Sequence, residues 1–221
     1  MYLNDVTPEY MPAGTIAAVV AGFEALGVDA EELCARAQVE REALAEGTDK
    51  VPLSWLQNLW ATGSAYVEGP DYAARVGMSV PFGSLGVLDY LFASAPTVNA
   101  SLTAVAARSS GLASRFSFQF RPEEGFMEIV GSPDPLQQGS EFALALVVNR
   151  SRTLSARDPQ VEAVGLPLPE FAGRPHEKTY GTRVVYGTSS AWVRFNVDGL
   201  QAPVREADPT LFKTLDRLAD K

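Results

Sequence analysis

A chain of 221 residues, 46% hydrophobic and 20% charged, can fill the core of one domain or of two modest ones. A formal net charge of −9 opposes contact with phosphate backbones or anionic membrane, so the chain by itself is not expected to bind DNA. One cysteine (Cys34) and one histidine (His176) exclude an internal disulfide, a cysteine metal cluster and a multi-histidine metal site, and no cofactor is expected.

No apolar run approaches the roughly 18 residues that span a bilayer. Residues 1–9 carry two acids and no base, unlike a signal peptide, and a cytoplasmic location is expected. Residues 1–11 read as irregular. From Pro12, the residues Ile16, Val19, Val20, Phe23 and Leu26 form an i, i+3, i+4 stripe that ends at Gly27, which predicts a helix. Asp29 with Glu32 reads as a capping box for a short helix carrying Leu33 and Cys34, the latter a small core residue. A turn at 47–49 precedes a helix opened by Pro52, with Leu56, Leu59, Trp60 and Val67 on its main stripe. A second turn at 69–71 leads into one or two helical turns ending at Gly77.

Residues 82–120 are the stretch around which the remainder is arranged. Gly83 and Gly86 break the chain, and Leu85, Leu88, Leu91 and Phe92 then share one helical face. Pro96 stops this helix and Thr97 caps the next, whose stripe is Val98, Leu102, Val105, Ser109 and Leu112. At Phe116 the period changes to two: Phe116, Phe118 and Phe120 alternate with polar residues and predict a strand with one aromatic face. The turn at 123–125 makes a hairpin with a strand over 126–130, which Pro133 and Pro135 end.

The segment 141–154 is apolar all round between 142 and 148 and predicts a largely buried helix, with Arg150, Arg152 and Arg157 placed to complement its C-terminal dipole. Strands follow over 161–166, 183–186 and 191–197, with a proline- and glycine-punctuated loop over 167–181. In the last strand Ala191, Val193, Phe195 and Val197 alternate with Trp192, Arg194 and Asn196. Asp208-Pro209 caps a final helix carrying Leu211, Phe212, Leu215 and Leu218. The pattern is α+β, with helices packed on one face of a small antiparallel sheet. It divides a single domain, 1–221, into a helical part over about 12–113, a strand-rich part over about 114–200 and a final helix over about 208–220.

Catalytic signatures are missing. The sequence holds no Gly-x-x-x-x-Gly-Lys, no Gly-x-Gly-x-x-Gly and no Gly-x-Ser-x-Gly, and His176, between Pro175 and Glu177, reads as an exposed loop residue. The chain is not expected to be an enzyme. Asp89 interrupts the apolar stripe of its helix and is expected at its edge, reaching water; if buried it needs a cation, for which Arg108 is a candidate.

Several short motifs occur in a telling order: Gly27-Val28-Asp29, Val51-Pro52-Leu53, Phe82-Gly83 with Gly86, Ser94-Ala95-Pro96-Thr97 with Leu102 behind it, and Tyr-Gly-Thr-Arg-Val-Val-Tyr-Gly over 180–187 with Leu200 and Pro203. Together they resemble the N-terminal effector domain of AraC/XylS-type transcription regulators, in the arabinose-binding-like branch. The resemblance covers nearly the whole chain. It implies a ligand-sensing, dimerising regulatory domain that senses a small-molecule effector. It also implies contact with DNA only through a C-terminal helix-turn-helix domain, which is expected to be absent from this chain. On that reading the effector pocket is expected between the helix carrying Leu85, Leu88, Tyr90 and Phe92 and the strand faces carrying Phe116, Phe118, Phe120 and Trp192. Its lining would be largely apolar, with Tyr90 and Arg194 supplying polar contacts. The final helix is the candidate surface for a homodimer. A ligand-free dimerisation module is the alternative, and a haem or gas sensor a third reading that a lone loop histidine opposes.

Overall fold

In the computed structural model, which describes residues 9–45, 50–109, 116–131 and 137–218, the chain begins with a short strand. Strand β1 (Tyr10–Pro12) pairs antiparallel with β2 (Lys50–Pro52), so the N-terminal approach to the first helix is ordered where the sequence reads as irregular. Between these strands lie α1 (Ala13–Ala25), α2 (Ala30–Ala37) and a five-residue helix absent from the sequence reading, α3 (Arg41–Ala45). The Asp29 side chain accepts from the amides of Glu31 and Glu32 and starts α2. Helices α4 (Leu53–Gly63) and α5 (Tyr72–Ser79) complete a helical layer. Cys34 lies inside it, where burial pushes its thiol up, as suits a core residue.

Two glycines with positive φ, Gly83 (94°) and Gly86 (54°), turn the chain into α6 (Val87–Ser94). After Pro96, Thr97 Oγ1 accepts from the Ala100 amide and opens α7 (Val98–Arg108). Leu112, the turn at 47–49, and Pro133 and Pro135 lie outside the described residues, as does the side chain of Phe116. The hairpin forms as the period predicts: β3 (Phe116–Arg121) and β4 (Phe126–Gly131) pair with Phe118 opposite Ile129 and Phe120 opposite Met127.

Helix α8 (Gln137–Leu154) is followed by β5 (Val161–Leu166), α9 (Pro175–Tyr180), β6 (Arg183–Tyr186), β7 (Trp192–Phe195) and α10 (Pro209–Leu218). The sheet order is β3-β4-β7-β5-β6. All neighbours are antiparallel except β5 and β6, which run parallel because α9 crosses between them within what the sequence presents as a loop. The α+β class holds, and the small sheet is mixed.

Helix α8 explains the layering. Phe142 and Leu146 join a core formed with α1, α2, α4 and α5, while Ala143, Leu144, Ala145, Val147 and Val148 join a second core formed with the sheet. It is therefore sheathed by helices on one side and by strands on the other, as an all-round apolar helix must be. At Gly77 of α5 an added Cβ would lie 2.5 Å from the Phe142 carbonyl oxygen and 2.8 Å from Ala145 Cβ, so glycine sets how closely α5 and α8 cross.

Candidate functional site

Along the seam between the two cores the packing leaves a cavity of about 80 Å³, partly open to the surface. Its N-terminal wall is Met11, Thr15 and Val19, with Leu56 and Trp60 from α4. The α8 wall is Gly139, Phe142, Ala143, Leu146, Val147 and Arg150. Leu85, Leu88, Asp89 and Phe92 close it from the turn and α6, and Val105 and Phe118 from α7 and β3. Trp60 is set by three rings, Phe23, Tyr72 and Phe142, at centroid distances of 5.8, 6.1 and 5.6 Å.

The charged side chains on this wall are Asp89 and Arg150, both buried. Asp89 Oδ1 accepts from Arg150 Nε at 2.7 Å, and Oδ2 from Arg150 Nη2 at 3.2 Å. Asp89 Oδ2 also takes the amides of Gly83 (2.7 Å) and Leu85 (3.2 Å), while Arg150 donates to the carbonyls of Val80 (3.0 Å) and Pro81 (2.9 Å). One ion pair thus ties the turn at 80–86 to both α6 and α8. Asp89 does not reach water as expected, and its partner is Arg150 rather than Arg108, which instead meets Asp216 of α10 at 2.8 Å. The sequence reading gives Arg150 to the dipole of its own helix; the signal that points elsewhere is its place one helical turn beyond Leu146 and two beyond Phe142, on the same inward face.

Of the residues expected at the pocket, Leu85, Leu88, Phe92 and Phe118 line the cavity. Phe120 lies on the same sheet face, part-buried in the sheet core beside Met127. Tyr90 points away: it is half exposed and its ring meets Phe82 at 5.3 Å. Trp192 and Arg194 occupy the opposite sheet face, because Val193 pairs with Met127 and the alternation sends its neighbours outward. There Trp192 lies 5.4 Å from the Phe126 ring, with the Arg194 guanidinium over both. The missed lining residues Leu56 and Trp60 sit on a stripe legible as core, and nothing in that stripe marks them as bordering space.

His176 also differs from expectation. It is fully buried on α9, with Nε2 3.1 Å from Glu141 Oε2 and Nδ1 3.2 Å from the Tyr186 hydroxyl. The Tyr180 hydroxyl donates to the Glu141 carbonyl at 2.8 Å, and Thr179 donates to Asp71 at 2.6 Å. Burial raises the Glu141 carboxyl above its ordinary range, against the pull of His176. With both ring nitrogens engaged, this histidine joins α8 to α9 and has no nitrogen free to act as an axial ligand. No group of three or more metal-binding side chains occurs among the described residues, and no described helix is long and apolar enough to cross a membrane.

The sheet is covered by helices on one face, and an apolar cavity lies between those helices and β3. The sequence matches the arabinose-binding domain of AraC transcription regulators, N-terminal, over residues 27–204, and the chain belongs to that family, which is regulatory rather than enzymatic. The crystal structure of the transcriptional regulator CdpR from Pseudomonas aeruginosa shares the fold, with a TM-score of 0.58 at 15% sequence identity. The likeness covers 84% of this chain and 59% of that one, so the chain spans about three-fifths of that regulator's length. Curated protein sequences gave no match.

Proposed function

We propose that this chain is the effector-sensing part of an AraC-type regulator, acting in the cytoplasm. A small, largely apolar molecule occupies the cavity between α1, α4, α6, α8 and β3. The bound state alters how an attached helix-turn-helix domain is presented to DNA. The observation that carries this reading is the cavity itself, which lies where the two cores meet and is walled by four of the eight expected pocket residues whose side chains are described. The protein self-associates as a twofold dimer through α10, whose Leu211 and Leu218 are exposed and which holds no buried residue.

A ligand that binds only the native state must stabilise it, so a thermal-shift screen of small apolar compounds tests the sensor reading. Compounds that raise the melting temperature should lose their effect when Ala143, on the α8 wall, is replaced by Leu to fill the space. A screen without hits, or hits indifferent to that filling, refutes the cavity as effector site and favours the ligand-free dimerisation module.

A further inference from the structure

Two features of the cavity wall define what can fill it, given the reading of this cavity as the effector site. The first is electrostatic. Asp89 and Arg150 neutralise each other, and both are engaged by the turn at 80–86 as well. The pair is already neutral, so a ligand charge of either sign placed against it would be a third buried charge with no fourth to balance it. Such an ion loses its hydration on entering the apolar cavity and gains no net opposite charge in return.

The second feature is an unmet hydrogen bond. The Trp60 Nε1–H is buried and has no acceptor among the described residues. The side chain is 2% exposed, its three aromatic neighbours offer rings, and its own backbone carbonyl already accepts from the Tyr72 hydroxyl at 3.0 Å. Buried indole N–H groups ordinarily find a partner. Among the described residues of the cavity wall, Trp60 is where such an unpartnered atom occurs.

We infer that the cavity's ligand is an uncharged, slim apolar molecule carrying one hydrogen-bond acceptor, a carbonyl, ether or hydroxyl oxygen, that receives the Trp60 indole N–H. The apolar wall provides affinity, the ion pair rejects charged analogues, and the indole orients the oxygen.

Four probes on one six-carbon scaffold test this with the full chain: 2-hexanone, hexane, hexanoate and hexylammonium, titrated by ligand-observed NMR. The ketone is expected to bind, and both ions to bind on the order of a hundredfold more weakly. In Trp60→Phe the affinity of the ketone relative to hexane should fall about three- to tenfold, the span of one hydrogen bond. The ratio of two ligands on one variant is insensitive to a general loss of stability. If that variant does not fold, the wild-type Trp60 indole N–H resonance takes its place, and it should move with ketone and not with hexane. Hexanoate or hexylammonium binding within a few-fold of the ketone overturns the inference while leaving the cavity as a site. An unchanged ketone-to-hexane ratio, or an unmoved indole resonance, does the same. If neither neutral probe binds, this inference and the proposed effector site fall together.

Discussion

Replacing Asp89 by alanine should be among the most damaging single changes available to this protein. The carboxylate is 1% exposed and accepts four hydrogen bonds, two from Arg150 and two from the amides of Gly83 and Leu85. Its removal leaves the Arg150 guanidinium, itself 5% exposed, as a buried charge facing two carbonyls and no anion. Breaking a buried pair from one side costs about 3–5 kcal/mol. The two amides belong to a part-exposed turn that water can reach, so we add nothing for them. Against a total stability of about 5–15 kcal/mol, this is a large fraction. Urea unfolding should show a midpoint lowered by about 1–2.5 M for a slope near 2–3 kcal/mol per molar. The double replacement Asp89→Leu with Arg150→Met should recover part of the loss, because no charge then remains buried. A single replacement that costs under about 1 kcal/mol refutes the claim that this pair holds the turn at 80–86.

Gly77→Ala places a methyl against the Phe142 carbonyl and Ala145, and should cost about 1–3 kcal/mol in a thermal or urea melt; a neutral result means that α5 and α8 separate without penalty. Because burial raises the Glu141 carboxyl, with Asp71 reinforcing and His176 opposing, its stabilising effect is complete below about pH 4.3 and is lost as pH rises through the folded value. Glu141→Gln should therefore gain on wild type as pH rises from about 4.5 to 7, by at most about 1.4 kcal/mol per unit, and a pH-independent difference contradicts this. Leu211→Glu with Leu218→Glu should convert the dimer proposed through α10 to monomer in light scattering without lowering the melting temperature of the monomer, and dimers that survive both changes place the interface elsewhere.

Local chemistry made much of this fold legible. The glycines at 83 and 86, the Pro96-Thr97 junction and the three alternating phenylalanines are read within a few residues of one another, and the corresponding helices and hairpin follow. What failed depends on distant partners. Asp89 meets Arg150 61 residues away, and His176 meets Glu141 35 residues away, so neither pairing leaves a mark near the residue concerned. His176 sits between Pro175 and Glu177, neighbours as suited to a loop as to the first turn of α9. Trp192 shows a different limit. Alternation correctly separates it from Val193, but which of the two shares a face with Phe118 is decided by the pairing of β7 with β4 and of β4 with β3. The cavity itself has no sequence signature, since a side chain facing a gap and one facing a neighbour obey the same periodicity.

Because α8 contributes side chains to both cores, it cannot loosen without opening one of them. Opening either core exposes one flank of the same helix, so its central amides, around Leu144 to Val148, should exchange with solvent deuterium only when the whole molecule unfolds. Those amides then report global stability directly. Any molecule seated against Phe142, Leu146 and Val147 would slow them by the full factor of its binding, which makes this helix a gauge of occupancy that needs no knowledge of what the occupant is.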